Sequence, residues 1–323
     1  MLRTAVIGVG SLGRQHARIH AALAAEGLSQ FVAVCDLNEE TARSVSSERE
    51  TDWTTDWREL IGRIDAASVA VPTEVHCEIA CGLLEAGIHL LVEKPISRTL
   101  EEADRMIRAA EKGNAVLQVG HLERFNPAMV ALRPHVRKPV YFEIHRVGQF
   151  TARSLDIDVV LDLMIHDLDI VQWLVGEDVE VTNIHAVGIA ILTNKVDAAN
   201  ARLEFSSGAV ANITASRVGT EKIRKMRFFQ PHDYIAVDYT TKRASISGLA
   251  PPTASGAWPG VHVKHLDIID VEPLHAEIVS FLESVKNGTP PAVSGIEGRN
   301  ALSLALRTLE RIREHGRRVL AAD

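Results

Sequence analysis

Cysteine is scarce in this chain: three residues in 323, Cys35, Cys77 and Cys81. An odd, low count offers no disulfide framework and fits a reducing compartment. Cys77 and Cys81 lie one helical turn apart, as two small residues on a buried helix face or as two metal ligands. No second Cys or His pair follows at zinc-site spacing, so no metal is expected. An excess of basic charge is also lacking. The 35 Lys and Arg against 42 Asp and Glu leave a net charge of −7, which sets up no global field for nucleic acid or an anionic membrane. The densest basic run, Lys222, Arg224, Lys225 and Arg227, has the spacing of a solvated strand or loop. No stretch approaches about 18 uninterrupted apolar residues. The N-terminus runs straight into a strand pattern, with no charged leader or cleavage signal. A cytoplasmic protein with no membrane or nucleic-acid partner is the expectation. Internal repeats and low-complexity tails are missing too.

Hydrophobic residues make up 46% and charged residues 24%, ordinary for a globular protein, and the length suits two domains. The first 120 or so residues alternate short apolar runs with helical patterns. Strands are read at Thr4 to Gly8, Phe31 to Asp36, Ala67 to Val71, His89 to Val92 and Val116 to Val119. Helices are read at Gly13 to Glu26, Glu39 to Glu48, Glu74 to Ala86 and Leu100 to Lys112. Such alternation implies right-handed crossovers and a doubly wound parallel sheet. The pattern then changes to longer, partly alternating strands: Val140 to Val147, Val181 to Leu192, Asn200 to Phe205, Ala209 to Arg217, Arg224 to Phe229 and Tyr234 to Tyr239. These fit an antiparallel sheet with one solvated face. One helix, from about Asp158 to Leu174, interrupts them, and two more close the chain at Pro273 to Lys286 and Gly295 to His315. Pro251 to Gly260 reads as a loop. The fold class expected is α/β, with a Rossmann-type domain over residues 1–121 and an α+β domain with a large, open, mostly antiparallel sheet over 122–323.

Gly8-x-Gly10-x-x-Gly13 lies between a strand and a helix, the setting in which this spacing binds a dinucleotide. Gly8 permits the tight turn, Gly10 lets backbone approach a pyrophosphate and Gly13 lets the helix pack on the strand. With Ser11 and Leu12 they form the turn, and the helix N-terminus behind them favours phosphate. Asp36 follows Gly13 by 23 residues, at the end of the second strand. A carboxylate there accepts from the ribose 2′-hydroxyl and repels a 2′-phosphate, so the cofactor expected is NAD. The competing reading is an Asp that starts a turn, and Arg43 lies near enough to complicate the preference.

The helix from Asp158 is apolar on most sides, yet Asp158, Asp162, His166 and Asp169 fall at i, i+4, i+8 and i+11. At about 100° per residue they share one narrow stripe. A stripe of this kind faces a cleft unless its members are paired in the core. Asp162 one turn before His166 suits an orienting carboxylate and a general base. A solvated or paired face and a His–carboxylate metal site are the alternatives. Glu93 and Lys94 stand at the C-terminal end of the fourth predicted strand, the edge where open α/β sheets bind ligands. A Lys there stabilises alkoxide charge or passes on a proton, or it is a surface Lys beside a Pro turn.

Taken together, Gly8-x-Gly10-x-x-Gly13, Glu93-Lys94-Pro95 and Asp162-x-x-x-His166 resemble the Gfo/Idh/MocA oxidoreductases. The likeness spans essentially the whole chain, including Gly295-Ile-Glu-Gly-Arg-Asn-Ala301. It implies NAD(P)-linked oxidation or reduction of a sugar-type carbinol, with Lys94, Asp162 and His166 carrying the chemistry. It also implies a cis Lys94–Pro95 bond and a homodimer or homotetramer. Val119-Gly-His-Leu-Glu-Arg-Phe-Asn-Pro127 and the run Ser154 to Asp167 look like the UDP-N-acetylglucosamine 3-dehydrogenase branch. That branch implies a 3-keto nucleotide sugar, which a partner aminotransferase converts to the 3-amino sugar for lipid A. Asp156 to Val160 stands where many members have Gly-Gly, so inositol and free-sugar relatives fit less well. On this reading Pro72, Thr73, His76 and Glu93 lie by the cofactor, and Arg124, Asn126 and Arg153 are candidates for the substrate diphosphate. The alternatives are dehydrogenation of an inositol or free sugar, and a cofactor-binding regulator without activity.

Overall fold

The computed structural model describes residues 1–150, 157–176, 178–250 and 260–320. The chain forms two compact units, Met1–Leu122 with Glu272–Leu302, and Glu123–Val271 with Ser303–Asp323.

The first unit is built on a six-stranded parallel sheet in the order β3-β2-β1-β4-β5-β6. The strands are β1 (Arg3–Ile7), β2 (Gln30–Cys35), β3 (Asp52–Thr54), β4 (Ala66–Val69), β5 (His89–Glu93) and β6 (Leu117–Gly120). The crossovers are α1 (Gly13–Ala25), α2 (Glu39–Arg49), α3 (Thr73–Glu85) and α4 (Leu100–Lys112). Strand order reverses direction at β1 and β4, which creates the switch-point crevice at their C-terminal ends. All four residues of β4 and of β6 are buried, as continuous apolar strands covered on both faces should be. The edge strand β3, three residues long, is too short to show periodicity and was not expected.

A single division near residue 121 does not describe this unit, because the chain returns to it. Helix α7 (Pro273–Asn287) lays Leu274, Ile278 and Phe281 against Ile19 and Leu23 of α1 and Leu91 of β5. Burying Phe281 and Ile278 stabilises by roughly 2 kcal/mol each. Periodicity shows that α7 has an apolar face but not which sheet that face covers.

The second unit carries an eight-stranded sheet in the order β14-β13-β12-β11-β7-β10-β9-β8. Its strands are β7 (Tyr141–Val147), β8 (Val181–Ile189), β9 (Ala198–Phe205), β10 (Val210–Ser216), β11 (Ile223–Gln230), β12 (Asp233–Asp238), β13 (Arg243–Leu249) and β14 (Val261–His265). Every pairing is antiparallel except β7 with β10. Alternation divides the two faces. Phe142, Ile144, Ile213, Met226 and Phe228 are buried, while His145 and Arg227 are exposed on the other face. The helix α5 (Pro127–Leu132) packs on β12 and β13. A wide π-type turn at Val160–Met164 leads into α6 (Ile165–Val175), so the expected single helix from Asp158 is two segments of different pitch. β13 and β14 were not expected: β13 carries Ser245, Ser247 and Gly248 and all of β14 is exposed, so neither presents a run of buried apolar residues. The last helix, α8 (Gly295–Leu320), begins in the first unit and ends in the second. Among the described residues, no helix is long and apolar enough to cross a membrane.

Candidate active site

The glycine turn joins β1 to α1. Gly8 has φ +80°, and a Cβ there would fall 2.7 Å from the Ala70 carbonyl oxygen. A Cβ on Gly13 would lie 1.7 Å from the Gly8 carbonyl oxygen, so no other residue fits without moving backbone. A Cβ on Gly10 would meet nothing within 4 Å, so the turn presents bare, open backbone there. Ser11 and Leu12 are exposed beside it. Asn38 caps α2 and Thr99 caps α4 through their side chains, but the α1 N-terminus has no side-chain cap and no acidic residue in its first turn. An uncapped helix end behind an open glycine turn is suited to a pyrophosphate.

A cavity of about 700 Å³ opens beside this turn, lined among others by Gly8, Gly10, Asp36, Leu37, Pro72 and Ile79. Asp36 is fixed by backbone. Its carboxylate accepts from the Val9 amide at 2.8 Å and from the Asn38 amide at 2.9 Å. Among the described residues it makes no ion pair. Arg43 is engaged elsewhere, paired with Glu39 at 2.6 Å and lying 4.7 Å over the Trp53 ring. An uncompensated carboxylate accepts sugar hydroxyls and repels a phosphate. Trp57 and Arg58 line the same cavity, with the guanidinium 4.5 Å over the indole. They lie on a 3-10 turn after β3, and only the aromatic–cation pair at the end of a βα unit could have signalled them. Burial pushes the Cys35 thiol up to about 12, with Asp36 adding to it, so this cysteine is inert packing in the cavity wall.

At the end of β5, Glu93 is buried and accepts from His16 Nε2 at 2.9 Å and from the Lys94 amide at 3.2 Å. Burial works against its charge, but the hydrogen bond from His16 and the positive charges of His16 and Lys94 outweigh it and hold the carboxyl below its ordinary range. Lys94 is half-buried, and the Lys94–Pro95 bond is cis. Pro72 and Thr73 open α3. His76 is almost fully buried, with Nε2 2.9 Å from the Val71 carbonyl and Nδ1 3.1 Å from the Pro95 carbonyl. Burial lowers its pKa, while the hydrogen bonds to backbone carbonyls work the other way. Its ring nitrogens serve backbone.

In the second unit the polar stripe divides by burial. Asp158 accepts from the Val196 amide at 2.8 Å and ties down the start of the helix. Asp169 is buried and forms a two-pronged pair with Arg124 at 2.9 and 2.7 Å. Asp167, on the opposite side of the helix from the expected stripe, is fully buried and doubly bonded to Arg146 at 2.8 Å. Asp162 and His166 remain half-buried, four residues apart across the change of pitch. Asn126 caps α5, and its amide donates to Glu123 and to the Tyr239 carbonyl, each at 3.2 Å. Arg124 and Asn126 are thus bonded within the unit, and Arg153 lies outside the described residues. Among those residues, no group of three or more His, Cys, Asp or Glu is placed to hold a metal ion.

The sequence matches the oxidoreductase family with an NAD-binding Rossmann fold, Gfo/Idh/MocA, over residues 2–121, and that family's C-terminal domain over residues 101–229. A UDP-N-acetylglucosamine 3-dehydrogenase of Acidithiobacillus ferrooxidans is 40% identical over 306 residues, 94% of this chain and 95% of the relative. The chain belongs to the Gfo/Idh/MocA family. The solved structure of the Acidithiobacillus ferrooxidans enzyme superposes with a TM-score of 0.89, at 38% identity, covering 96% of this chain and 97% of that one. A myo-inositol 2-dehydrogenase of Thermotoga maritima is 27% identical over 94% of both chains. A levoglucosan dehydrogenase, solved with NADH and levoglucosan, shares the fold at a TM-score of 0.85 and 20% identity, covering 97% of each chain. As a member of the Gfo/Idh/MocA family, the chain is an NAD-binding oxidoreductase, and its curated relatives include several named dehydrogenases.

Proposed function

We propose that this oxidoreductase uses NAD+ to oxidise the C3 carbinol of UDP-N-acetylglucosamine to the 3-keto sugar. The chemistry rests on one observation: on a helix whose neighbouring carboxylates Asp167 and Asp169 are buried in ion pairs, Asp162 and His166 stay half-buried. A buried pair is structural, whereas a half-exposed His and Asp four residues apart are available for proton transfer. The sugar class rests on the 40% identity to a UDP-N-acetylglucosamine 3-dehydrogenase.

In this mechanism Asp162 orients the imidazole and His166 takes the hydroxyl proton as the carbinol C–H bond breaks. Lys94 stabilises the negative charge that forms on the oxygen, and the carbonyl closes as hydride departs. Bound NAD+ supplies the hydride acceptor. Asp36 would hold the cofactor's ribose hydroxyls, and the glycine turn with the α1 N-terminus would hold its phosphates. The 3-keto product is a substrate for an aminotransferase. We place the enzyme in the cytoplasm, in keeping with its three free cysteines. We place self-association on the open face of the eight-stranded sheet, where Val187 and Phe229 are exposed.

Following NADH formation with UDP-N-acetylglucosamine, myo-inositol and free glucose in parallel tests the substrate. Turnover of the nucleotide sugar, at a kcat/KM at least about a hundredfold above the others, is expected. Preference for inositol, the activity of the 27% identical relative, would replace this reading.

A further inference from the structure

Resting on that reading, we propose that Arg224 is the anion subsite of the second unit, binding the diphosphate that a nucleotide sugar carries beside its reacting ring. Three other arginines of this unit set the comparison. Arg146 is buried and spends its fork on Asp167 and Glu123, at 2.7 to 2.8 Å. Arg124 is buried and spends its fork on Asp169. Arg217 is buried and donates to the Ile157 carbonyl at 2.6 Å, with Asp197 3.8 Å away. Arg224 is half-buried, and among the described residues its guanidinium has no hydrogen bond and no ion pair.

Its place follows from the register. Arg224 on β11 lies opposite Arg146 on β7, so both side chains leave the same face of the sheet. Lys225 and Arg227 leave the other face and are exposed, so the run that reads as uniformly solvated is split by the strand's period of two. On the inner face Arg224 lies within electrostatic range of Asp162, Asp167 and Glu123 and is repelled by Arg146. Burial and the Arg146 charge both work against its proton, and the three carboxylates only partly offset them. A half-buried cation without a bonded partner is costly, and it persists where a ligand completes it. A guanidinium fork matches phosphate oxygens in pairs, and half-burial leaves it reachable. Its electrostatic interaction with Asp162 puts it near the proposed reacting group, as a diphosphate on C1, two carbons from the reacting C3, requires. An uncharged polyol would leave this cation unanswered, so the substrate class indicated is an anionic sugar.

The test pairs kinetics with binding, using Arg224→Gln and Arg224→Lys in the full-length enzyme. Calorimetric titration with UDP alone reads the subsite without turnover, and titration with NAD serves as the folding control. For Arg224→Gln, a KM for UDP-N-acetylglucosamine and a Kd for UDP each raised about tenfold or more are expected, with NAD affinity within about twofold. Arg224→Lys, which keeps the charge but loses the fork, should fall between Gln and wild type. If the wild-type enzyme turns over the nucleotide sugar and Arg224→Gln leaves both constants unchanged, the subsite assignment fails while the proposed activity stands. If the wild-type enzyme neither turns over a UDP-sugar nor binds UDP, both fail.

Discussion

Between the sheet of the first unit and its helices α1 and α7 lie His16, His20, Ser68, Glu93, Gln118 and Glu277, all buried. The corresponding layer of the second unit holds Glu123, Arg124, Arg146, Asp167 and Asp169, also buried. The two layers meet the same cost differently. In the second, each charge has an opposite charge at hydrogen-bond distance, and Asn126 and Tyr239 close the network. In the first, His16 bonds Glu93, His20 bonds Ser68 and Gln118 bonds the Glu277 carbonyl, but among the described residues Nδ1 of both histidines, Gln118 Oε1 and both carboxyl oxygens of Glu277 have no partner. Burial, with the charge of Glu93 adding to it, raises Glu277 well above the carboxylate range, so it stays protonated. Burial likewise drives His20 down to about 3, with repulsion from His16 contributing, so it stays neutral. One unit keeps its charges by pairing them; the other discards them. Glu93, beside Lys94, is the exception in the first unit, and its charge is held by His16.

The largest effect that could break this contrast is at Arg146. Arg146→Leu strands Asp167 and Glu123 as buried, unpaired carboxylates and should cost about 3–5 kcal/mol in urea unfolding. A loss below about 1 kcal/mol would show that the paired layer does not hold the second unit together.

A smaller loss, about 2 kcal/mol, is expected for Asp197→Asn. Asp197 accepts from the amides of Ile191, Leu192 and Thr193 at 2.7 to 2.9 Å, and these bonds, opposed by burial, lower it to about 2. A depressed folded pKa gives stability that is present above the unfolded value of 3.8 and disappears as pH falls toward 2. The deficit of Asp197→Asn should therefore be constant at neutral pH and vanish in acid. A deficit that persists at pH 2 would contradict the charge-based account.

The third effect has the opposite sign. Glu277 has a raised folded pKa, so its contribution is full below the unfolded value of 4.5 and is lost as pH rises and the unfolded chain ionises. Glu277→Gln removes that loss. It should be more stable than the wild type at pH 8 and no more stable at pH 4, read from thermal unfolding across pH. A variant destabilised equally at both pH values would show that Glu277 is needed for its shape alone.

What was legible in the sequence is local. The glycine turn, Asp36 at the end of a strand and Lys94 before a proline each declare themselves within a few residues, because backbone conformation and strand ends are set by near neighbours. The parallel sheet apart from β3, and the mostly antiparallel second sheet apart from β13 and β14, were legible for the same reason, since periodicity is a short-range signal. The pairing of Arg124 with Asp169, 45 residues away, was not. It requires knowing which helix face meets which loop, and it engages an arginine that the sequence alone offers to a ligand. The spacing of Asp158, Asp162, His166 and Asp169 suggested one stripe facing a cleft, but the π-type turn and the Arg124 contact separate Asp169 from Asp162 and His166. Glu277 and His16 come from distant segments, α7 and α1, so their shared layer is visible only in three dimensions. The same is true of Arg224, whose strand period distinguishes it from Lys225 and Arg227 only once its neighbours across the sheet are known.

The most direct test of the central claim is a single turnover with UDP-N-acetylglucosamine deuterated at C3, using wild-type enzyme and His166→Ala with NAD+. Deuterium should appear on the nicotinamide in the wild type, with a 3-keto sugar formed in equal amount. His166→Ala should transfer it at least about a hundredfold more slowly while binding NAD+ as tightly. Deuterium retained in the sugar while NADH forms, or transfer at the wild-type rate by His166→Ala, would contradict the assignment of carbon or of base respectively.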